Sequence, residues 1–156
     1  MKEVTEKEAL LQLSALCARG EHCQWEMLEK MRSWGLDDEA QARVMQRLVE
    51  GRYVDDERYA RAFVTDKIRY NHWGRRKVEQ GLFQKHISED IRQQVLSEVS
   101  DEEYLSVLRP LLRQKRKSTK AASDYELNQK LLRFALGRGF TYDLISQCLD
   151  VDEDME

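Results

Sequence analysis

Arg75, Arg76 and Lys77 stand side by side directly after Asn71-His72-Trp73-Gly74. Three adjacent cations do one kind of chemistry well, which is to neutralise the phosphates or carboxylates of a partner. Lys67 and Arg69 precede them and Lys85 follows, so residues 67–86 hold six cations against Glu79 alone, a local balance of +5. A second run, Arg109, Arg113, Lys115, Arg116, Lys117 and Lys120, has no acid between its ends. Five carboxylates (Asp150, Asp152, Glu153, Asp154 and Glu156) crowd the last seven residues. The formal net charge of −3 gives no reason to expect a polyanionic partner, but its uneven distribution does.

Other residues capable of chemistry are poorly arranged for it. Cys17, His22 and Cys23 lack a second ligand pair, and their spacing fits no metal site. Cysteines number three, with no CxxC pair, which reads as reduced thiols. No glycine-rich phosphate loop or GxSxG is present, and no histidine is placed with a nucleophile and an orienting carboxylate. Asp37-Asp38 and Asp55-Asp56 are adjacent at helix starts, where capping explains them. The chain is therefore expected not to be an enzyme, and to use no cofactor and no metal.

The elements that carry the cations are helices. Asp55-Asp56-Glu57 supplies capping acceptors, and Tyr59, Ala60, Phe63, Val64 and Ile68 follow as an apolar stripe at helical period. Asn71 to Gly74 ends that helix, and Arg75-Arg76-Lys77 opens the next. A helix N-terminus favours anions, so three cations there oppose the dipole, and something outside the helix should answer their charge. His72 and Trp73, beside the cations, could stack on bases; packing is the favoured role. Arg58 is expected to pair with Asp55 or another carboxylate, and Tyr59 and Phe63 to be core.

Elsewhere the same grammar recurs. Thr5-Glu6-Lys7-Glu8 fits a capping box, Gly35 a helix C-terminus, and Asp37 or Asp38 the next start. Further helices are expected at about 74–85, 88–99, 101–117, 124–137 and 141–149, with Pro110 kinking or dividing the one over 101–117. No stretch alternates at period two, so no sheet is expected. The chain overlays on itself at Gly35, His86 and Gly139, each followed by an apolar residue (Leu36, Ile87, Phe140) and preceded four back by another (Met31, Leu82, Ala135). The reading is all-α: three tandem three-helix repeats (1–52, 53–99, and 100–156 with the acidic tail) in an elongated, curved array. With 156 residues, 41% hydrophobic and 35% charged, no apolar run long enough for a membrane and no signal-type N-terminus, a cytoplasmic chain is expected.

At this level of detail the chain resembles the RecX regulatory proteins of bacteria, over about residues 8 to 149. Asp55-Asp56-Glu57-Arg58-Tyr59-Ala60 is similar to the family's D-D-x-R-[FY]-A, followed by Gly74-Arg75-Arg76 and a helix ending in Lys85-x-Ile87. Arg133-Phe134-Ala135-Leu136-Gly137-Arg138-Gly139-Phe140-Thr141-Tyr142 resembles its R-G-F-[ST]-Y stretch, and Leu16-Cys17-Ala18-Arg19 with Cys23-x-x-Glu26 its first motif. Two departures stand out. Cys23 replaces the usual Ser or Thr cap, which should weaken it by about 1 kcal/mol, and His86 replaces the usual Gly. The resemblance implies a curved monomer whose basic side binds the RecA–single-stranded-DNA filament and inhibits its ATPase, strand-exchange and coprotease activities. Lys67, Arg69, Arg75, Arg76, Lys77, Lys85, Arg113, Lys115, Arg116, Lys117 and Lys120 are the expected contacts. Composition and spacing alone leave open a generic nucleic-acid-binding module, or a helical-repeat scaffold for an acidic protein.

Overall fold

A computed structural model of the chain describes residues 3–154, with side chains through residue 149; the carboxylates of the acidic tail lie outside them. Nine α-helices and no strand make up the described residues: α1 (Glu6–Arg19), α2 (Gln24–Ser33), α3 (Asp38–Glu50), α4 (Asp56–Arg69), α5 (Arg75–Gln84), α6 (Glu89–Ser97), α7 (Asp101–Ser118), α8 (Asp124–Gly137) and α9 (Tyr142–Asp154). The chain divides into two compact units, residues 1–62 with 82–92 and residues 63–81 with 93–156.

In the first unit α1 and α2 both pack on α3. Ala9, Leu13, Met27, Met31, Val44, Met45, Leu48 and Val54 close into one buried cluster. Apart from Val54 in the following loop, these lie on the apolar faces of three amphipathic helices, mostly at i, i+4 spacing, and each helix start is capped. Thr5 Oγ1 accepts from the Glu8 N–H at 3.1 Å, and Asp37 Oδ1 from the Ala40 N–H at 2.8 Å. Cys23 cannot offer a good oxygen, and Asp56 takes its place, accepting from the Gln24 N–H at 2.8 Å. Burial raises the Asp56 pKa, opposed by that hydrogen bond. Arg58 pairs with Glu21 and donates to the Arg52 and Tyr53 carbonyls, while Asp55 caps α4 through the Arg58 N–H.

In the second unit α7, α8 and α9 pack on one another. Leu105, Leu108, Leu112, Leu131, Ala135, Phe140, Leu144 and Ile145 are buried. Ser100 and Glu103 form a capping box at the start of α7, and Ser123 caps α8. Of the two expected effects of Pro110, kinking or dividing this segment, division does not occur: α7 runs unbroken from Asp101 to Ser118. Pro110 and Ser106 are both exposed, so the carbonyl that loses its N–H partner faces water, while the buried stripe continues on either side.

The internal overlay appears in the backbone. Gly35, His86 and Gly139 all have positive φ (80°, 58° and 94°). At each, two hydrogen bonds close the preceding helix in the same pattern. Leu36, Ile87 and Phe140 N–H donate back to the carbonyls of Met31, Leu82 and Ala135. Gly35, His86 and Gly139 N–H donate to those of Arg32, Phe83 and Leu136. This Schellman closure sets the angle between second and third helices, and the same closure at a spacing near 50 residues is the structural repeat.

Candidate functional site

The second unit contains every expected contact except Lys85. Its organising point is the start of α5. Gly74 N–H donates to the Arg138 carbonyl at 2.8 Å and Arg76 N–H to the Gly139 carbonyl at 3.0 Å. The N–H groups of Gly74 and Arg76 at the start of α5 are thus answered by carbonyls just past the end of α8, whose partial negative charge opposes the dipole cost of the three cations. Arg138 Nη1 also donates to the Asn71 carbonyl at 3.2 Å, tying down the turn before α5. Arg75 and Arg76 are exposed and Lys77 is half-buried.

Beside the turn, Trp73 is half-buried and carries two ammonium groups over its ring, Lys67 Nζ at 5.0 Å and Lys77 Nζ at 4.9 Å from the centroid. Phe63 meets Trp73 edge-on, with centroids 6.4 Å apart. The indole therefore packs within the unit and holds two of the cations, each contact stabilising by about 0.5–1 kcal/mol. Tyr70 stands 76% exposed at the end of α4, next to Arg69.

The second basic run lies on α7. Arg109, Arg113 and Lys117 recur every fourth residue, about 6 Å apart along the axis. Arg109 approaches Glu102 at 3.7 Å, and Arg116 donates to Asn128 Oδ1 at 3.2 Å. Lys115 Nζ lies 4.8 Å from the Phe134 centroid, and the Arg138 guanidinium 5.1 Å from the same ring. Phe134 and Arg138 thus connect the two basic runs: one ring seats Lys115 and Arg138, and Arg138 reaches the α4–α5 turn. Neither residue is among the expected contacts. Both lie in the Arg133 to Tyr142 segment that carried the resemblance.

Among the described residues no carboxylate pairs with Lys67, Arg69, Arg75, Arg76, Lys77, Arg113, Lys115, Lys117 or Lys120. Nearby, Tyr104 is 2% exposed and its hydroxyl has no partner. Burial pushes its pKa up to about 12, opposed by Arg75 and reinforced by Glu103, Asp101 and Glu79.

Lys85 is placed differently. In the first unit its ammonium pairs with Glu26 Oε2 at 3.0 Å and lies 5.5 Å from the Trp25 ring centroid. Burial raises the Glu26 pKa, but Lys85, the Cys23 N–H and His22 outweigh it and hold the carboxyl below its ordinary value. His86 stacks on Trp25 at 4.9 Å, and Cys23 Sγ donates to the Lys85 carbonyl at 3.7 Å. Cys17 Sγ lies 3.8 Å from Met27 Sδ. The three sequence-level metal candidates are each committed to different packing contacts, His22 facing Glu26 at 3.4 Å.

Comparison with known proteins gives this surface a family. Residues 55–96 match the model of the second three-helix domain of RecX, and residues 101–149 match that of the third. The chain belongs to the RecX family. It is 28% identical over 151 residues to the regulatory protein RecX of Vibrio campbellii, covering 97% of this chain and 94% of that one. To the regulatory protein RecX of Clostridium perfringens it is 32% identical over 120 residues, covering 76% of this chain. There the chain spans only 56% of the relative's length. The crystal structure of RecX from Lactobacillus salivarius superposes with a TM-score of 0.83 at 18% identity, covering 97% of both chains, and so shares its fold. The RecX family is one of regulatory proteins, and no helix among the described residues is long and apolar enough to cross a membrane.

Proposed function

We infer that this chain regulates the RecA recombinase by binding the RecA–single-stranded-DNA filament and inhibiting its ATPase, strand-exchange and coprotease activities. It acts by binding and not by catalysis, as a cytoplasmic monomer of three repeats (1–52, 53–99 and 100–156). The observation that carries this reading is that, among the described residues, no carboxylate pairs with Lys67, Arg69, Arg75, Arg76, Lys77, Arg113, Lys115, Lys117 or Lys120, on a chain of RecX ancestry. Unpaired cations seated on aromatic rings keep their charge available for a partner, and each phosphate neutralised adds about 0.7–0.9 to the salt dependence of binding. Filament contacts are assigned to Lys67, Arg69, Arg75, Arg76, Lys77, Arg113, Lys115, Arg116, Lys117 and Lys120, with Lys85 the weakest of the assigned contacts because Glu26 already pairs with it.

The test is charge reversal. Arg75→Glu with Arg76→Glu should abolish inhibition of RecA while helical content stays unchanged; undiminished inhibition would remove these residues from the site. A second reading is favoured by one observation, the interleaving of Tyr70, Trp73 and Phe134 with the cations. Under it the chain is a single-strand-binding module indifferent to RecA. It predicts equal affinity for bare DNA and for the filament, whereas the filament reading predicts that RecA adds most of the affinity.

A further inference from the structure

Gly139 and His86 occupy the same place in successive helix closures, yet only one of them has to be glycine. The backbone is left-handed at residues 35, 86 and 139, and His86 shows that a side chain is compatible with that conformation in this chain. What sets Gly139 apart is its neighbour. A β-carbon there would lie 2.4 Å from Lys77 Cβ and 2.5 Å from Lys77 N, whereas at Gly35 it would meet nothing within 4 Å. Gly74 presents the other half of the contact. A β-carbon on it would lie 2.3 Å from Phe140 N and 2.4 Å from Phe140 Cα. Between the two glycines run the hydrogen bonds from Gly74 N–H to the Arg138 carbonyl and from Arg76 N–H to the Gly139 carbonyl.

We propose that Gly74 and Gly139 are positioning residues for Arg75, Arg76 and Lys77: lacking side chains, they let the turn after α8 grip the first turn of α5 and fix where those three cations emerge. The proposal rests on the reading that this surface takes a polyanion. Any side chain at either position wedges two backbones apart, and neither neighbour is the movable end of a flexible side chain. Separating them would also remove the carbonyls just past α8 that offset the cations' repulsion from the α5 dipole. The requirement for glycine therefore comes from the approach of a distant strand of backbone, and the helix closure itself does not impose it.

Gly35 provides a matched control, because Gly35→Ala meets the same left-handed backbone with no collision. Two readouts are taken on the full chain at a temperature where circular dichroism shows each variant folded. The first is amide hydrogen exchange at Arg76, and the second is binding to oligo(dT) over a salt series. Gly139→Ala should speed Arg76 exchange by about tenfold or more, and Gly35→Ala should leave it at the wild-type rate. Gly139→Ala should lower the salt slope by about 0.7 or more, the loss of at least one phosphate contact, with no charge changed. Equal effects of the two alanines on both readouts would overturn the proposal. If Gly139→Ala does not fold, the wild type still decides: Arg76, a first-turn amide, must exchange slowly, and free exchange there would refute the grip. Failure of the wild type to bind both oligo(dT) and the RecA–oligo(dT) filament would instead overturn the polyanion reading, leaving the exchange arm to judge the contact by itself.

Discussion

Several cations of the first unit pair with carboxylates, whereas several of the second rest on aromatic rings or stand exposed, although Arg109 with Glu102 and Lys130 with Glu126 are paired there too. In the first, Arg32, Arg43, Arg58, Arg61 and Lys85 each face a carboxylate (Glu29, Glu6, Glu21, Glu57 and Glu26). In the second, Lys67 and Lys77 lie over Trp73, Lys115 and Arg138 over Phe134, and Arg75, Arg76 and Arg113 stand exposed. A carboxylate partner cancels a cation's field; an aromatic face holds the ammonium in place and leaves its charge undiminished. Under the proposed function, the difference separates cations that serve the fold from cations available to a partner, which net charge does not show.

Several experiments would break or sharpen that contrast. The largest expected effect is the loss of inhibition in the Arg75→Glu, Arg76→Glu pair, set against Arg43→Glu in the first unit. The latter should leave stability nearly unchanged, since an exposed pair stabilises little, and should leave inhibition intact. Loss of inhibition in both would mean that the contrast is not functional.

Next comes alkaline instability. Burial pushes the Cys23 thiol up to about 11 and the Tyr104 hydroxyl up to about 12, each above its ordinary value of 9.0 or 10.0. A group whose folded pKa is raised contributes stability that is complete below its unfolded pKa and is lost as pH rises through the folded one. Stability should therefore be flat to about pH 9 and fall between pH 9 and 12, by roughly 2–3 kcal/mol for each group. Urea midpoints across that range measure it, and a flat profile would show these groups to be hydrated. Replacing Tyr104 by Phe removes a buried hydroxyl without a partner, so it should leave neutral-pH stability unchanged or raise it by up to about 1 kcal/mol, and make the alkaline fall shallower.

Smaller effects test the first unit. Lys85→Gln leaves the half-buried Glu26 without its ammonium and should cost about 1 kcal/mol by thermal denaturation, with at most a slight change in RecA inhibition. Asp56→Ala should cost about 1 kcal/mol because Asp56 replaces the cap that Cys23 cannot provide.

Most of the fold was legible in the sequence because helices announce themselves locally. Thr5, Asp37, Asp55, Ser100 and Ser123 begin helices, and the apolar spacing that aligned Gly35, His86 and Gly139 located three identical helix closures. What was hidden is what depends on residues far apart. Nothing near Gly74 states that its neighbour will be Phe140, or that the dipole cost of Arg75 to Lys77 is met by carbonyls of 138 and 139. The same holds for Asp56 capping α2 from a position 33 residues beyond Cys23. Pro110 does not divide α7 because a lost hydrogen bond on a wet face can be replaced by water, an exposure that the local rule does not see. The cations were all visible, but which of them a carboxylate would pair with was not, as Lys85 with Glu26 illustrates.

The measurement that bears most directly on the central claim is the ATPase rate of RecA from the same organism on single-stranded DNA, with this chain titrated in. The account predicts strong inhibition well below one chain per RecA, weakening as salt rises. An ATPase rate unchanged up to a stoichiometric excess, with the chain folded and still able to bind DNA, would contradict it.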